Sequence, residues 1–281
     1  MTISVLTIVK NRAAHLAELV EGLRRNVVMP NELIIVDMSS DLPVIAPEPP
    51  FAAQVIRLDG VNLPLAAARN AAARAANSEH LLFLDVDCIP MRELVGMMQT
   101  QLFQQDALIC AEALYLGPND ARESWTEEML LRVTSSHPER CFPKDGVRKE
   151  TNAGLFWSLI FGIRRARFDE LAGFDEAFTG YGAEDTDFGF RAQRANVPLI
   201  FMGGTGAFHQ HHAVYDPPLQ HLQDIVRNAQ LFYDRWLFWP MEGWLRAFAG
   251  AGLIEWSEKR IALLRAPDVV ELAKARQIAG T

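Results

Sequence analysis

Leu81-Leu82-Phe83-Leu84-Asp85-Val86-Asp87-Cys88-Ile89-Pro90 is the stretch of sequence that decides the fold. Its four leading apolar residues predict a buried strand, and two aspartates follow where that strand ends. Earlier in the chain, Ile3–Val9 and residues 33–36 are apolar runs of the same kind, and the second one leads into Asp37. Segments with helical spacing separate these runs, so the pattern predicts an α/β fold with a mostly parallel sheet.

The apolar spacing on both sides of this stretch extends the same alternation. Further strands are predicted at residues 55–58, 107–111, 159–164, 198–201 and 206–208, and helices at residues 13–25, 65–76, 92–102, 168–171 and 184–195. The four prolines of residues 43–50 predict a loop, and the polar residues 117–151 predict an irregular insertion. Ligands of such sheets bind at the carboxyl ends of the strands, so we expect a site at that edge.

Composition and charge exclude several classes of function. The chain has 281 residues and a net charge of −8, whereas a nucleic-acid-binding face is strongly basic, so we predict no nucleic-acid partner. No apolar run reaches the roughly 18 residues of a membrane-spanning helix, and no basic leader precedes the first strand. Cys88, Cys110 and Cys141 show neither pairing nor metal-ligand spacing. We therefore expect a cytoplasmic protein.

Asp85 and Asp87 flank Val86 directly after the predicted strand. Mn²⁺ or Mg²⁺ commonly takes one or two carboxylate oxygens together with phosphate oxygens, and an acidic protein that binds an anionic nucleotide needs such a local cation. Strand-end aspartates also begin turns or cap helices, but the position after a buried strand favours a site. One aspartate can face a ribose while the other binds the metal.

A second acidic group, Glu184, Asp185 and Asp187, opens a predicted helix after the turn Gly180-Tyr181-Gly182. Acidic residues in a first turn also complement the helix dipole, and Asp187 has the i,i+4 spacing of an ion pair with Arg191, which fits as well as a site role. Transfer to a hydroxyl needs a base, and a carboxylate beside a glycine turn suits both that role and a mobile lid. We expect Asp185 to be the base and Glu184 to hold the acceptor.

The segment His209-Gln210-His211-His212 follows the last predicted strand. A lone histidine is more often structural, and no cysteine nearby completes a zinc site. Mn²⁺ accepts imidazole beside carboxylate, so a histidine here can complete the metal site. If the strand continues, alternation turns His209 and His211 to the same side, so we predict His209 as the first candidate ligand and His211 as the second, with His212 undecided.

These motifs together resemble the glycosyltransferases of GT-A fold, especially glycosyltransferase family 2 and the C-terminal part of β-1,4-galactosyltransferases. Three segments carry the resemblance: Val9-Lys10-Asn11-Arg12-Ala13-Ala14-His15-Leu16, Asp85-Val86-Asp87-Cys88-Ile89-Pro90-Met91 and Gly180-Tyr181-Gly182-Ala183-Glu184-Asp185-Thr186-Asp187. The resemblance implies UDP contacts by the basic residues of the first segment. It also implies that Asp87 is the direct metal ligand, that Glu184 binds the acceptor and that Asp185 is the base.

The third segment departs from those galactosyltransferases at two positions. Tyr181 stands where they have tryptophan, and Ala183 replaces a glycine. Both changes concern the acceptor side, so the acceptor stays open: a glycan or another hydroxyl compound.

Seven residues are predicted to bind the nucleotide-sugar donor: Lys10, Asn11, Arg12, Asp37, Arg69, Asp85 and Trp157. Each residue type also has an ordinary structural role, as a solvated cation, a turn-initiating aspartate, a local ion-pair partner or a core tryptophan. The aromatic residues 236–244 predict helix packing against the catalytic domain, and a peripheral membrane patch or an acceptor platform is the alternative.

The resemblance implies metal-dependent transfer of a hexose, with inversion, from a nucleotide sugar to an acceptor hydroxyl. UDP-galactose, UDP-N-acetylgalactosamine and UDP-glucose are the leading donors, and GDP-mannose stays among the candidates. A nucleotidyltransferase would need a glycine-rich loop after the first strand, and a non-catalytic sugar-binding module would keep the fold without turnover. We predict a catalytic domain at residues 1–212, with a nucleotide-binding half at 1–115 and an acceptor-binding half at 150–212, and a C-terminal helical appendage at 213–281.

Overall fold

The computed structural model describes residues 2–46, 48, 50–60, 63–121 and 124–277. The strands are β1 Ile3–Val9, β2 Glu32–Asp37, β3 Ala52–Arg57, β4 His80–Leu84, β5 Cys88–Pro90, β6 Leu108–Tyr115, β7 Ser135–Ser136, β8 Val147–Glu150, β9 Ile160–Arg164, β10 Leu199–His209, β11 Val214–Tyr215, β12 Ile254–Trp256, β13 Ile261–Leu263 and β14 Arg276–Gln277. The helices are α1 Ala13–Arg24, α2 Leu65–Ala75, α3 Leu94–Gln104, α4 Glu127–Leu131, α5 Arg165–Glu170, α6 Glu184–Arg194, α7 Leu222–Trp236, α8 Glu242–Gly250 and α9 Val269–Ala275, with short 3₁₀ helices at Ala153–Leu155 and Leu219–His221. Pro47 and Pro49 of the predicted loop, Arg122 and Glu123 of the predicted insertion, and residues 278–281 of the predicted appendage lie outside the described residues.

One large sheet organises the molecule, with strand order β3-β2-β1-β4-β9-β6-β10-β5, and β7 and β8 pair with β6 and β10. The pairs β1–β2, β2–β3, β1–β4 and β6–β10 are parallel. Since β9 is antiparallel to both β4 and β6, strands β1, β2, β3, β4, β6 and β10 all run in one direction. The predicted α/β fold with a mostly parallel sheet is therefore confirmed.

The sheet is covered on both faces, which explains why its strands are continuous apolar runs. On one face, α2, α5 and α6 contribute a cluster that includes Phe168, Phe174 and Phe188. On the other face, α1 and α3 pack against alternate residues of the same strands, with Leu19 and Met98 fully buried. The alanines of α2 let its backbone approach the sheet closely.

Two predictions about the second half of the sheet are wrong. The strands predicted at residues 198–201 and 206–208 form one strand, β10, whose pairing with β6 shifts register between Met202 and Gly206. The insertion at residues 117–151 is not wholly irregular, because it contains α4, β7 and β8, and β8 pairs with β10. A Cβ on Gly203 would lie 1.8 Å from the carbonyl oxygen of Pro143, so this irregularity lets the insertion pack directly on the strand.

The segment after β10 contains α7, α8 and α9 and also two small sheets, β11–β14 and β12–β13, so the predicted appendage is helical only in part. Within it, Trp239 stacks on Tyr233 with ring centroids 4.3 Å apart, and Phe248 is fully buried. Leu237 and Phe238 are exposed. Most of the aromatic stretch thus packs internally. In the described part of the chain, every helix is too short or too polar to cross a bilayer.

Candidate active site

Parallel strands bring several polar segments to one edge of the sheet. Val9 and Asp37 are register partners at the ends of β1 and β2, and Asp85 follows β4 directly. The short strand β5 then turns back along β10, so that Cys88 pairs with His209. This antiparallel pairing places the turn after β4 beside the histidines that end β10.

Asp87, His209 and His212 form a group that fits a metal ion. The N–H of Gln210 donates to the carbonyl oxygen of Asp87 at 2.7 Å and holds the end of β10 against the turn. Nε2 of His209 lies 3.5 Å from Oδ1 of Asp87, and Nε2 of His212 lies 3.3 Å from Oδ2. Neighbouring ligands at about 2.1 Å from one ion are about 3 Å apart, so this spacing suits coordination of a single cation.

The charges around Asp87 keep its carboxylate ionised. Burial alone would raise the pKa of Asp87, but His209, His212 and Arg12 hold it well below its usual range. Burial lowers the pKa of His209, against the pull of Asp87, and so favours the neutral imidazole that binds metals. Arg12 is the partner of Asp87 that carries a permanent charge. Its Nη1 donates to Oδ2 of Asp87 at 2.5 Å.

His211 does not belong to this group. β10 ends at His209, so the strand alternation that favoured His211 as the second ligand stops before reaching it, and that premise is wrong. The carbonyl oxygen of His211 lies 3.4 Å from Nε2 of His15, while the next residue, His212, faces Asp87. The direction of the chain after a strand depends on the contacts of the loop, which local alternation does not encode.

Arg69 joins the two acidic segments. Its Nη1 donates to Oε1 of Glu184 at 3.0 Å, and its Nη2 donates to Oδ1 of Asp85 at 3.3 Å. Burial raises the pKa of Asp85, opposed by Arg69 and reinforced by Asp87. Burial also raises the pKa of Glu184, reinforced by Asp185 and opposed by Arg69. The predicted donor-binding residue Arg69 is thus the internal cation between both acidic segments.

Three hydrogen bonds from side chains of α6 and α7 hold the carboxylate of Asp187 inside the protein. Its side chain is fully buried, and it accepts hydrogen bonds from Nε of Arg191 at 2.7 Å, Nη1 of Arg235 at 2.6 Å and Nε1 of Trp236 at 3.0 Å. The ion pair predicted from the i,i+4 spacing is therefore present. Two further partners come from α7, which the sequence pattern did not predict.

Asp185 is more exposed than the other two acids of this segment, Glu184 and Asp187. It is partly exposed, and its Oδ1 accepts a hydrogen bond from the N–H of Thr186 at 2.7 Å. Among the residues that the structure describes, no cation lies within ion-pair distance of Asp185. Glu184, the residue directly before it, is joined to Asp85 through Arg69.

Asn11 and Asp37 hold the loops after β1 and β2 together. The N–H of Asn11 donates to Oγ of Ser40 at 2.9 Å, and its Nδ2 donates to Asp41 at 3.1 Å. Asp37 accepts from the N–H of Ser40 at 2.8 Å and from Arg57 at 3.1 Å. The turn-forming alternative therefore describes the local contacts of Asp37, and both residues shape the edge of the sheet.

Lys10 and Trp157 are both partly buried. Lys10 directly follows β1. Trp157 meets the ring of His137 edge to face at 4.7 Å, and a row of rings continues from His137 to Tyr115 and from Tyr115 to His209, at 5.9 and 4.8 Å. The row connects the predicted sugar-stacking residue with His209 of the candidate metal site.

Family models match this chain over the segments that form the site. The model described as Glycosyl transferase family 2 matches residues 4–172, more than half of the chain. The chain belongs to glycosyltransferase family 2. A model described as the N-terminal domain of galactosyltransferase matches residues 141–213. Together the two matches of this family 2 chain contain all three segments that carried the resemblance, which is confirmed.

Individual relatives of this family 2 chain are distant. Validoxylamine A glucosyltransferase of Streptomyces hygroscopicus subsp. jinggangensis (strain 5008) is 26% identical over an alignment of 166 residues, and the match covers 48% of this chain and 36% of the relative. The chain therefore spans little more than a third of that relative's length.

Solved structures show the fold. S. aureus TarS 1-349 in complex with UDP matches with a TM-score of 0.56 at 15% identity, over 82% of this chain and 64% of that chain. GalNAc-T7 with UDP, GalNAc and Mn²⁺ matches with a TM-score of 0.57 at 15% identity, over 75% of this chain and 44% of that chain. These likenesses confirm the predicted GT-A fold.

Proposed function

We propose that this chain is a metal-dependent glycosyltransferase that moves a hexose from a UDP sugar to an acceptor hydroxyl with inversion. The observation that carries the proposal is the group of Asp87, His209 and His212 at the edge where the parallel strands end. Arg69 links Asp85, beside this group, to Glu184, the neighbour of Asp185. Solved neighbours with UDP and with UDP and Mn²⁺ support the same donor class and a divalent cation.

Asp87, His209 and His212 are the residues that would hold the ion. When bound, a divalent cation supplies positive charge beside the donor diphosphate and stabilises the departing UDP. Mg²⁺ prefers a shell of oxygen ligands, whereas Mn²⁺ accepts imidazole, so this mixed set favours Mn²⁺.

Basic residues of the first loop take the other side of the donor. Arg12 contacts Asp87 through one nitrogen, so its guanidinium lies where the diphosphate must approach the metal group. Lys10 directly follows β1. Asp85 directly follows β4, the strand beside β1, where it can accept a hydrogen bond from the ribose. The hydrogen bond from Arg69 holds the side chain of Asp85 in place.

Asp185 is the proposed base. It takes the proton of the acceptor hydroxyl while the hydroxyl oxygen attacks the anomeric carbon, and the bond from that carbon to the diphosphate oxygen breaks with its electron pair leaving on UDP. Attack from the face opposite the leaving group inverts the anomeric centre. Glu184 lies beside the base and is held by Arg69, on the acceptor side.

The donor sugar is proposed to be galactose, N-acetylgalactosamine or glucose, and a glucosyltransferase among the relatives supports glucose. Trp157 is the proposed stacking surface for the sugar. We further propose a cytoplasmic location and a glycan or other hydroxyl acceptor, with Leu237 and Phe238 as the exposed residues for any peripheral membrane contact.

Thermal unfolding with UDP and Mn²⁺, added separately and together, tests the donor site. A ligand that binds only the native state at 100 times its Kd adds about 2.7 kcal/mol of stability, so we expect the largest rise in Tm with both present. Hydrolysis of the three UDP sugars, measured as release of UDP and compared with hydrolysis of GDP-mannose as the control donor, then tests turnover. No shift with any nucleotide contradicts the proposal, and binding without hydrolysis or transfer supports a sugar-binding module instead.

A further inference from the structure

We propose that α7 positions the acids of the acceptor side by holding the turn at residues 179–182, with Asn228 as the positioning residue. The inference rests on the proposed function, since it concerns the proposed base Asp185 and its neighbour Glu184. It goes beyond that function by giving the C-terminal segment a part in the reaction, where sequence patterns predicted a packing appendage.

The side-chain amide of Asn228 holds the turn through three carbonyl groups. Asn228 is fully buried, and its Nδ2 lies 3.0 Å from the carbonyl oxygen of Thr179, 3.3 Å from that of Tyr181 and 2.9 Å from that of Gly182. An amide nitrogen has two hydrogens, so one of them is shared between two carbonyls. The flipped amide would put its oxygen against three other oxygens, so the contacts define its orientation.

The glycine of this turn is required by close packing against α7. Gly180 has φ +73°, and a Cβ on it would lie 2.1 Å from the carboxyl carbon of Asp224. Arg227 of α7 donates to the carbonyl oxygen of Thr179, and the N–H of Gly180 donates to the carbonyl oxygen of Leu63 at 3.0 Å. The turn is thus held from two sides, which does not favour the mobile lid expected from its glycines.

The same helix holds the chain beyond the turn as well. Ala183, the residue before α6, is buried with φ +71°, a conformation that costs energy for a residue with a side chain and persists only when its surroundings impose it. One helical turn later, Asp187 is bound by Arg235 and Trp236 of α7. Glu184 and Asp185 therefore lie between two anchored points.

A base must lie within hydrogen-bond reach of the proton that it removes, and a misplacement of about 1 Å costs about 100-fold in rate. The metal-binding group takes its hydrogen bonds and ion pairs from β10, the following loop and Arg12, and none from α7 among the described residues. Loss of the Asn228 contacts is therefore expected to disturb the base and to leave the donor site intact.

The test compares Asn228→Ala with Asn26→Ala, a matched control. Asn26 is also buried, and it donates to the carbonyl oxygen of Gly22 at 2.9 Å and accepts from the N–H of Val95 at 3.1 Å, between α1 and α3. Three quantities are measured in the full chain: the Kd for UDP with Mn²⁺, the kcat of UDP-sugar hydrolysis per UDP-binding site, and the hydrogen exchange of the backbone amides of residues 183–187. Counting binding sites by titration removes any loss of folded protein from kcat.

For Asn228→Ala we expect kcat per site to fall about 10-fold or more, with the Kd for UDP unchanged and exchange at residues 183–187 about fivefold faster. Asn26→Ala is expected to change none of the three. Equal effects of both substitutions, or unchanged exchange in Asn228→Ala, would overturn the proposal. If Asn228→Ala does not fold, the isosteric Asn228→Asp, which cannot donate to the three carbonyls when ionised, is judged by the same criteria.

The two proposals fail in distinguishable ways. A wild-type chain that neither hydrolyses nor transfers any of the UDP sugars contradicts the proposed function. The exchange experiment still decides the role of Asn228, because it depends on the turn and not on turnover.

Discussion

Two Asp-x-Asp turns of this chain, Asp85-Val86-Asp87 and Asp185-Thr186-Asp187, have the same pattern and opposite arrangements of partners. In both, the second aspartate is buried and the first is more open. Asp87 lies at the edge of the sheet beside an imidazole from the end of β10, an imidazole from the loop after it and an arginine from the loop after β1. Asp187 of α6 faces α7 and is bound by side chains of these two helices. Two of its partners, Arg235 and Trp236, belong to α7.

The comparison teaches that partners, and not the acidic pattern, decide what a buried aspartate does. Imidazoles can be neutral and can turn their lone pairs toward a metal, so the partners of Asp87 can become fellow ligands. Guanidinium and indole groups only donate, so the partners of Asp187 can never bind a cation with it. The first turn can therefore accept a metal. In the second one, Asp187 stabilises the fold, and Asp185 is the proposed base.

The largest effect is expected for Asp87→Asn. Loss of the carboxylate ligand removes a metal contribution of several kcal/mol to the transition state, so hydrolysis of the UDP sugar should fall by about 1000-fold. The Mn²⁺-dependent rise in Tm should disappear. The Tm without ligands should also fall, because the variant loses the ion pair between Asp87 and Arg12. A variant that keeps its Mn²⁺ response would break the distinction between the two turns.

Asp185→Asn is expected to lower turnover by at least about 100-fold, because the variant has no base for the acceptor or for water. UDP and Mn²⁺ should still raise its Tm as in the wild type, since the donor site lies on the other turn. Wild-type turnover in this variant would remove Asp185 from the mechanism.

Asp187→Asn should act on stability. The substitution removes the negative charge between Arg191 and Arg235, and breaking a buried pair costs about 3–5 kcal/mol; the lower figure applies here because these arginines are 20% and 28% exposed. Urea unfolding measures the loss of about 3 kcal/mol in the free energy of unfolding. An unchanged midpoint together with lost metal binding would reverse the roles assigned to the two turns.

A comparison of His212→Ala with His211→Ala tests which histidine after β10 binds the metal together with Asp87. Removal of a ligand should weaken Mn²⁺ binding in the presence of UDP by at least about 10-fold for His212→Ala, whereas His211→Ala should change it less than about twofold. Calorimetric titration of Mn²⁺ measures both. A larger effect at His211 would restore the order expected from strand alternation.

The smallest effect concerns Asp175, which is bound to Arg235 beside the second turn. Burial would raise the pKa of Asp175, but Arg235 and the N–H of Ala177 lower it below the ordinary value of 3.8. Its folded pKa is below its unfolded pKa, so its contribution to stability is complete above about 3.8 and is lost as the pH falls through the lower value. Asp175→Asn should cost about 1 kcal/mol at pH 7 and should flatten the acid limb of stability, as measured by urea unfolding at pH 2 to 7.

The comparison also shows how far prediction from the sequence reached. The buried strands were predictable because parallel strands covered on both faces are continuous apolar runs, and the helices because their apolar residues recur at helical spacing. The joining of the two strands predicted at residues 198–201 and 206–208 into the single strand β10 was not predictable from the sequence. The irregular part of this strand, at Gly203, packs against the backbone of Pro143 in a distant insertion. The ion pair of Asp187 with Arg191 is local in sequence and was predictable, whereas the contacts with Arg235 and Trp236 were not.

The sequence by itself determined the α/β alternation, the position of the aspartates at a strand end and the family, since periodicity and short motifs are properties of neighbouring residues. Only the tertiary structure decided which histidine joins Asp87, because that depends on the pairing of β5 with β10 and on the loop that follows. It also decided that Arg69 links Asp85 with Glu184 and that Asn228 holds the turn at residues 179–182. These contacts join residues far apart in the chain, and their geometry is set by the packing of helices on the sheet.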